Sequence, residues 1–249
     1  MSKCIIITGC SGDIGKSLVN KFLDDDYTVI ALDKEDTLNI KNKKLSFFQI
    51  NLFDYVNDSN MQDEFNSKIL DKVSGKFSHL VLINNAATQI VANINDITLE
   101  DIKKSIYINS ISPFYLSRFV AKTFKGALKI INIGSIHSNQ TKKGFCMYAG
   151  SKSLLESFSR SLSIELTNTN LSVLHVNPGA IDTQMLKKGF KDKNKLTQLR
   201  ELIPAKYIPS TYEFAEFIST LCKLETNYLT GTIIDYSGGI KHLLSDTEN

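Results

Sequence analysis

Short apolar runs that alternate with amphipathic stretches constrain the fold of this chain more than any other feature. The runs are rich in β-branched residues and almost continuously apolar, which is typical of strands covered on both faces. They predict seven strands, over Lys3–Thr8, Thr28–Asp33, Leu45–Ile50, His79–Asn84, Ala127–Ile133, Leu171–Val176 and Thr232–Asp235. The intervening stretches, such as the one containing Leu18 and Phe22, carry apolar stripes at helical spacing and predict helices.

Strand–helix alternation favours parallel strands joined by right-handed crossovers. The sequence therefore predicts an α/β fold with a doubly wound parallel sheet of the Rossmann type, in three layers (α/β/α). No repeat, linker or composition break divides the 249 residues, so we predict one domain over residues 1–249. No apolar run approaches the roughly 18 residues that span a membrane, and no membrane association is expected.

Charge and cysteine content restrict the partners of the protein. The formal net charge is only +3, and lysines are interspersed with acids, so nucleic-acid binding is not expected. The four cysteines are far apart in sequence, so they form no zinc-type pair and no metal site is predicted. We expect them to be reduced thiols that are buried or half-buried, in a cytoplasmic protein.

A glycine-bearing turn, Thr8–Gly15, joins the first strand to the first helix. Gly9 permits a tight turn, Gly12 permits a ligand to approach the backbone, and Gly15 leaves space between the helix and its neighbouring strand. Because a helix N-terminus presents free N–H groups, the turn is suited to a pyrophosphate. An ordinary strand–helix connection is the alternative interpretation.

Asp33 ends the second predicted strand, at the point where an acid can accept hydrogen bonds from both ribose hydroxyls of a dinucleotide. Its charge would repel a 2′-phosphate, and Lys34 would offset part of that repulsion. The sequence thus favours NAD over NADP as the cofactor, unless Asp33 is only a turn residue.

Tyr148 and Lys152 lie four residues apart and share one face of a predicted helix. A cation at about 4 Å favours a phenolate by roughly 4 kcal/mol at an effective dielectric constant near 20. That equals roughly three pKa units before desolvation is subtracted, enough to make the tyrosine an efficient acid or base. A tyrosine and a lysine at this spacing are otherwise usually a surface pair.

Nearly the whole chain resembles the single-domain branch of the short-chain dehydrogenase/reductase family. Thr8-Gly9 with Asp13-Ile14-Gly15 is similar to the family's glycine-rich turn, and Asn84–Ala87 to its Asn-Asn-Ala-Gly segment. Ser135 lies 13 residues before Tyr148, as the family serine does. Asn177–Thr183 resembles the segment beside the nicotinamide, and Asn109 lies where the family has a relay asparagine.

The resemblance implies reversible hydride transfer between NAD(P) and a secondary alcohol or carbonyl. Tyr148 would act as acid or base, Lys152 would bind the nicotinamide ribose, Ser135 would hold the substrate oxygen, and Asn109 would bind a relay water. It implies a homodimer or homotetramer and a substrate lid over residues 184–210. The implied cofactor contacts are Gly9, Ser11, Asp13, Ile14, Gly15, Asp33, Asn51, Leu52, Asn85, Ala86, Tyr148, Lys152, Pro178, Gly179, Ile181 and Thr183.

Three positions depart from the family pattern. Asp13 replaces the middle glycine of the turn, so its carboxylate must point away from a pyrophosphate, and we expect it to cap its own helix. Ala87 replaces a glycine and would narrow the cofactor floor by a methyl group. Asn51 stands where an aspartate often faces the adenine amino group, and its amide oxygen can accept the same bond.

The substrate itself is less constrained. Basic residues follow Thr183 and precede Tyr148, which favours an anionic substrate, although a neutral polyol or sugar is nearly as well supported. These residues are Lys142, Lys143, Lys187, Lys188, Lys191, Lys193, Lys195 and Arg200. His137 is expected either to touch the substrate or to have only a backbone partner. Rival functions are a non-catalytic nucleotide sensor or scaffold and a nucleotide-sugar epimerase or dehydratase.

Overall fold

All seven predicted strands form one parallel sheet in the computed structural model, which describes residues 2–166, 170–189 and 193–243. The strands β1 to β7 span Lys3–Thr8, Thr28–Asp33, Leu45–Gln49, His79–Asn84, Ala127–Ile133, Leu171–Pro178 and Ile233–Tyr236. Their order is β3-β2-β1-β4-β5-β6-β7, and every neighbouring pair is parallel. The predicted doubly wound sheet is confirmed, with the ends of three strands shifted by one or two residues.

Helices cover both faces of the sheet. Helices α1 to α9 span Asp13–Asp24, Leu52–Asn57, Ser59–Val73, Leu99–Ile106, Ser112–Thr123, Cys146–Glu165, Gln184–Lys188, Lys193–Leu202 and Thr211–Lys223. A π-helical segment, Tyr107–Ile111, joins α4 to α5. The residues after β6 thus build two short helices, α9 and the last strand of the same sheet, so no second domain appears among the described residues.

Alternate residues of each central strand pack into different cores, as the period of two in a strand requires. Ile5 and Ile7 of β1 face the side where α1 and α9 pack, whereas Cys4 and Ile6 face the side of α3, α5 and α6. Burial on both faces explains why the strands are nearly continuously apolar in sequence.

The cysteine prediction is wrong at one position. Cys4 and Cys10 are buried and Cys222 is half-buried, but Cys146 is exposed at the start of α6. All four thiols are free. No described helix is long and apolar enough to cross a membrane, and the described residues contain no group of three potential metal ligands.

Candidate active site

The strand order reverses between β1 and β4, and a cleft of about 980 Å³ opens at their carboxyl ends. Such a switch point is where doubly wound sheets bind their ligands. All of the predicted cofactor residues except Gly179 and Ile181 line this cleft. Ile181 belongs to the hydrophobic core, and Gly179 lies against Ser237. The predicted cofactor contacts of these two residues stay predictions.

The glycine-bearing turn has the tight geometry that the sequence predicts. Gly9 has a φ of +68°, and a Cβ there would lie 2.7 Å from Ala86 Cα. A Cβ on Gly15 would lie closer than 3.0 Å to Gly9 O and Cys10 Cα. Gly15 is therefore required by contact with the turn itself, which corrects the expectation that it spaces the helix from a strand. Gly12 caps α1 without a side chain, which leaves N–H groups free for an anion.

Thr8 and Asn85 fasten the ends of β1 and β4 to each other. The Thr8 hydroxyl accepts hydrogen bonds from the backbone N–H groups of Asn85 (2.9 Å) and Ala86 (3.0 Å). The Asn85 side-chain amide donates to the carbonyl oxygens of Thr8 (3.0 Å) and Gly9 (3.1 Å). These four bonds fix the turn relative to the floor of the cleft.

At one end of the cleft, Asp33 is already oriented by backbone groups. Its carboxylate accepts from the N–H of Ser11 at 2.8 Å and from the N–H of Glu35 at 3.2 Å. The buried Ser11 hydroxyl has no hydrogen-bond partner among the described residues. Because an unpaired buried hydroxyl is costly, this group is ready to bind a polar ligand.

Asn51 and Leu52 line the same end of the cleft. The Asn51 side-chain oxygen accepts from the N–H of Phe53 at 3.1 Å and so caps α2. An amide oxygen has two lone pairs, so one remains for a donor such as an adenine amino group.

Asp13 does not cap its own helix, and that expectation is wrong. Gly12 occupies the capping position, and Asp13 is the first helical residue, from which a side chain does not reach back to the N–H groups of its own first turn. The Asp13 carboxylate instead accepts from the N–H of Gln184 at 2.6 Å. It thereby connects the turn to the first residue of α7.

Ser135, Tyr148 and Lys152 meet at the other end of the cleft. Helix α6 places Tyr148 and Lys152 on one buried face, and Lys152 Nζ lies 5.9 Å from the centroid of the Tyr148 ring. Lys152 Nζ donates to Ile133 O at 2.8 Å. Ser135 follows β5 and lies close enough to Tyr148 for its side chain to lower the pKa of the phenol.

Burial controls the charges of this group. It raises the pKa of the Tyr148 phenol, with the Ser135 hydrogen bond acting in the opposite direction. Burial also lowers the pKa of Lys152 to about 7. The expected fall in the phenol pKa is therefore wrong for the protein alone, because desolvation outweighs the opposing effect of Ser135.

Asn109 lies in the π-helical segment with its side chain fully buried. Its amide nitrogen donates to Thr88 O (2.8 Å) and to the Ser151 hydroxyl (2.9 Å), and its oxygen accepts from the N–H of Thr88 (2.8 Å). Both amide hydrogens are used, so only one lone pair of the side chain is left for the predicted relay water. Sequence reasoning missed Ser151, whose position beside Tyr148 and Lys152 on α6 was the available signal.

His137 forms a hydrogen bond with the backbone, as one of the two predictions for this residue expected. Its Nδ1 lies 3.1 Å from Gln140 O, and because a carbonyl only accepts, Nδ1 carries the hydrogen. The ring packs on Phe145, with centroids 4.8 Å apart, and lies 6.1 Å from the Tyr148 ring.

Residues 3–194 match the family model described as short chain dehydrogenase. The chain belongs to this family of oxidoreductases. It is 26% identical over 247 residues to a glucose and ribitol dehydrogenase of Daucus carota, covering 95% of this chain and 84% of that protein. It is 29% identical over 246 residues to a 3-oxoacyl-(acyl-carrier-protein) reductase of Buchnera aphidicola, covering 96% and 97%.

Among solved structures, a 4-hydroxyisoleucine dehydrogenase complexed with NADH has a TM-score of 0.87 at 25% identity, covering 98% of this chain and all of that one. A second structure of that enzyme, with NADH and succinate, has a TM-score of 0.82 at 25% identity and covers 95% and 98%. The described elements of this chain thus have the architecture of an enzyme that holds NADH.

Replacing Lys152 by methionine tests the electrostatics of the site in the protein alone. Between pH about 7, where the folded lysine titrates, and 10.5, its ordinary pKa, the unfolded chain binds more protons than the folded one. Wild-type stability should therefore rise relative to Lys152→Met across this window, by at most about 1.4 kcal/mol per pH unit. Urea unfolding of both proteins at pH 6, 8 and 10 measures it. Parallel stability profiles would show that burial does not depress the lysine pKa.

Proposed function

We propose that the protein is an NAD-dependent oxidoreductase that interconverts a secondary alcohol and a carbonyl, with Tyr148 as the acid or base. The observation that carries this proposal is the buried group of Ser135, Tyr148 and Lys152, of which Tyr148 and Lys152 line a cleft of about 980 Å³. Membership of the family and the NADH in a related enzyme support the cofactor class.

The cleft residues fit a nicotinamide dinucleotide from end to end. Asp33, Ser11 and Asn51 offer polar groups for the adenosine, and the free N–H groups at the start of α1 suit the pyrophosphate. The nicotinamide, when bound, supplies or accepts the hydride. Lys152 at the far end would hold its ribose, and Thr183 and Pro178 line the adjoining wall.

Tyr148 is suited to proton transfer in both directions. Because burial keeps the phenol protonated, it can donate its proton to a carbonyl oxygen that becomes an alcohol. The charged form of Lys152 then stabilises the phenolate that remains. Ser135 donates a hydrogen bond to the same substrate oxygen and fixes its position near the Tyr148 hydroxyl.

Tyr148→Phe should reduce turnover by at least about a hundredfold while cofactor affinity changes less than about threefold, because only the hydroxyl is removed. The measurement is NADH titration by cofactor fluorescence, together with steady-state rates on an alcohol and carbonyl panel. Tyr228→Phe is the matched control, since Tyr228 is 98% exposed and should be neutral. Turnover of Tyr148→Phe within about tenfold of wild type would exclude the acid/base role.

Asp33 should make the enzyme prefer NAD. Its carboxylate is held in place by Ser11 and Glu35, so it cannot easily turn away from a 2′-phosphate. Lys34 would offset little of the repulsion between Asp33 and a 2′-phosphate. Its side chain is 72% exposed, and its ammonium lies 4.0 Å from a carboxylate oxygen of Glu35. We expect kcat/KM for NADH to exceed that for NADPH by at least about tenfold, and Asp33→Ser to narrow the ratio. A tenfold preference of the wild type for NADPH would contradict this assignment.

We also propose that the substrate carries a negative charge that Lys188 contacts. Lys188 lines the cleft and forms none of the ion pairs seen among the described residues, whereas Lys187 pairs with Asp182 at 2.7 Å. Lys142 packs over the Phe145 ring at 4.3 Å, and burial lowers the pKa of Lys142. Succinate in a related structure supports an acidic ligand, whereas the glucose and ribitol dehydrogenase supports a neutral one.

Two of the lysines that favoured an anionic substrate in the sequence have no described side chain, so the structure does not bear on their role. Lys191 lies outside the described residues, as does the side chain of Lys193.

The lid predicted over residues 184–210 contains α7 and α8. Of these two helices, as far as the structure describes them, only α7 contributes residues to the cleft wall, namely Gln184, Met185 and Lys188. We propose α7 as the part of the lid that meets the substrate.

Lys188→Ala should raise KM for an acidic substrate by roughly five- to thirtyfold and leave KM for the cofactor nearly unchanged. Lys187→Ala is the matched control, because its charge is already paired, and should change KM less than twofold. The measurement is the salt dependence of kcat/KM for wild type and both variants. An uncharged best substrate, with rates that do not respond to salt or to Lys188→Ala, would remove this proposal.

Turnover on the alcohol and carbonyl panel would exclude one of the rival functions. A non-catalytic sensor or scaffold would bind NADH in the titration and show no turnover on any substrate of the panel. A cytoplasmic location and a homodimer or homotetramer remain predictions, which cell fractionation and light scattering test.

A further inference from the structure

We propose that His175 is a positioning residue, which holds the backbone of Ser135 in place through the side chain of Asn177. The inference rests on the proposed function, in which Ser135 holds the substrate oxygen. It concerns a buried histidine on β6 that has no part in the proton transfer itself.

The Asn177 amide sits at the centre of this arrangement. Its oxygen accepts from the N–H of Ser135 at 2.9 Å and lies 3.0 Å from His175 Nε2. Its nitrogen donates to carboxylate oxygens of Glu156 at 3.0 Å and Asp235 at 3.3 Å. Because ionised carboxylates only accept, they fix which end of the amide faces Ser135.

The orientation of Asn177 then decides the tautomer of His175. An amide oxygen cannot donate, so His175 Nε2 must carry the hydrogen that fills the 3.0 Å bond. Burial lowers the pKa of His175 to about 4, so the ring is neutral at pH 7 and Nδ1 is an acceptor. The hydroxyl of Ser159 lies 2.9 Å from Nδ1, but its single hydrogen is shared with Leu155 O at 2.8 Å. The bond to Asn177 alone therefore fixes the tautomer, with the hydrogen on Nε2.

Sterics hold the imidazole in this arrangement as well. A Cβ on Gly134 would lie closer than 3.0 Å to both His175 Nε2 and Asn177 Oδ1. The imidazole and the amide thus pack directly against the backbone of the residue before Ser135. His175 and Asn177 are fully or almost fully buried, with exposures of 1% and 0%, so water cannot replace the imidazole donor.

Without the hydrogen bond from His175, the Asn177 side chain should be more mobile. The hydrogen bond from the Ser135 N–H to Asn177 should then be weaker, and Ser135 less well positioned. A displacement on the order of 1 Å at a positioned group can cost about a hundredfold in rate. Removing the donor should therefore lower kcat. The affinity for the cofactor should change little, because the proposed adenosine and pyrophosphate sites lie at the ends of β1, β2 and β4 and not at β6.

The test compares His175→Leu, which has a similar volume and no donor, with His175→Gln, whose terminal amide NH₂ can reach Asn177. We expect His175→Leu to lower kcat at least about tenfold, with NADH affinity within about twofold of wild type. His175→Gln should keep kcat within about threefold. In a Ser135→Ala background, His175→Leu should cost less than about twofold, because the hydroxyl that it positions is already absent.

A readout that does not need turnover is the hydrogen exchange of the Ser135 amide, followed by NMR. Protection should fall at least about tenfold in His175→Leu and be retained in His175→Gln. Unchanged protection in His175→Leu, equal loss of kcat in both variants, or additive losses with Ser135→Ala would each overturn the inference. Full activity of Ser135→Ala would instead contradict the proposed role of Ser135, whatever the exchange rates show.

Discussion

Polar side chains are buried where the parallel strands end, and a buried polar group is costly unless it is hydrogen-bonded. In this molecule several of these polar groups bond one another across neighbouring strands, although Asn84 Oδ1 has no partner among the described residues. Thr8 of β1 bonds the chain that follows β4, and Asn84 of β4 donates to Asn132 of β5 at 2.7 Å. Asn177 of β6 in turn holds the residue after β5. The position of every group in the cleft depends on these ties.

Burying the ionisable residues of the site is energetically unfavourable. Tyr148 and Lys152 occupy a helical face that an ordinary core would fill with apolar side chains. When no ligand is bound, burial disfavours the phenolate form of Tyr148 and the ammonium form of Lys152. An active site that changes its charges when ligands enter is expected to be destabilised in this way. The surrounding sheet supplies the stability that the site gives up.

The sequence predicted the sheet almost to the residue, because strands buried on both faces leave an unambiguous apolar pattern. It also brought Asp33, Tyr148 and Lys152 into one cleft. It missed the environment of these groups: the fall expected for the Tyr148 pKa assumed a charged lysine and gave no size to the desolvation, which burial makes the larger effect. The contact of Asp13 with Gln184 was also hidden, since residues 171 positions apart in the chain leave no local signal.

The polar network around His175 shows the same limit. His175 and Asn177 stand two apart on a strand, so they share a face, but nothing in the sequence says that Ser135, Ser159 and Glu156 converge there. The side chain of Ile181 lies in the core for a related reason: a motif fixes the path of the backbone and does not say which side chain turns inward. Long-range packing, not local pattern, decides these features.

The central claim is that fixed strand ends hold a nicotinamide dinucleotide with its reactive ring beside Tyr148 and Lys152. A crystal structure of the protein soaked with NADH tests it most directly. We expect the adenine ribose at Asp33, the pyrophosphate at the start of α1, and the nicotinamide ring in contact with Tyr148. The bonds that join Thr8 to Asn85 and Asn177 to Ser135 should be unchanged. A dinucleotide bound elsewhere, or with its nicotinamide at the Asp33 end, would contradict the account.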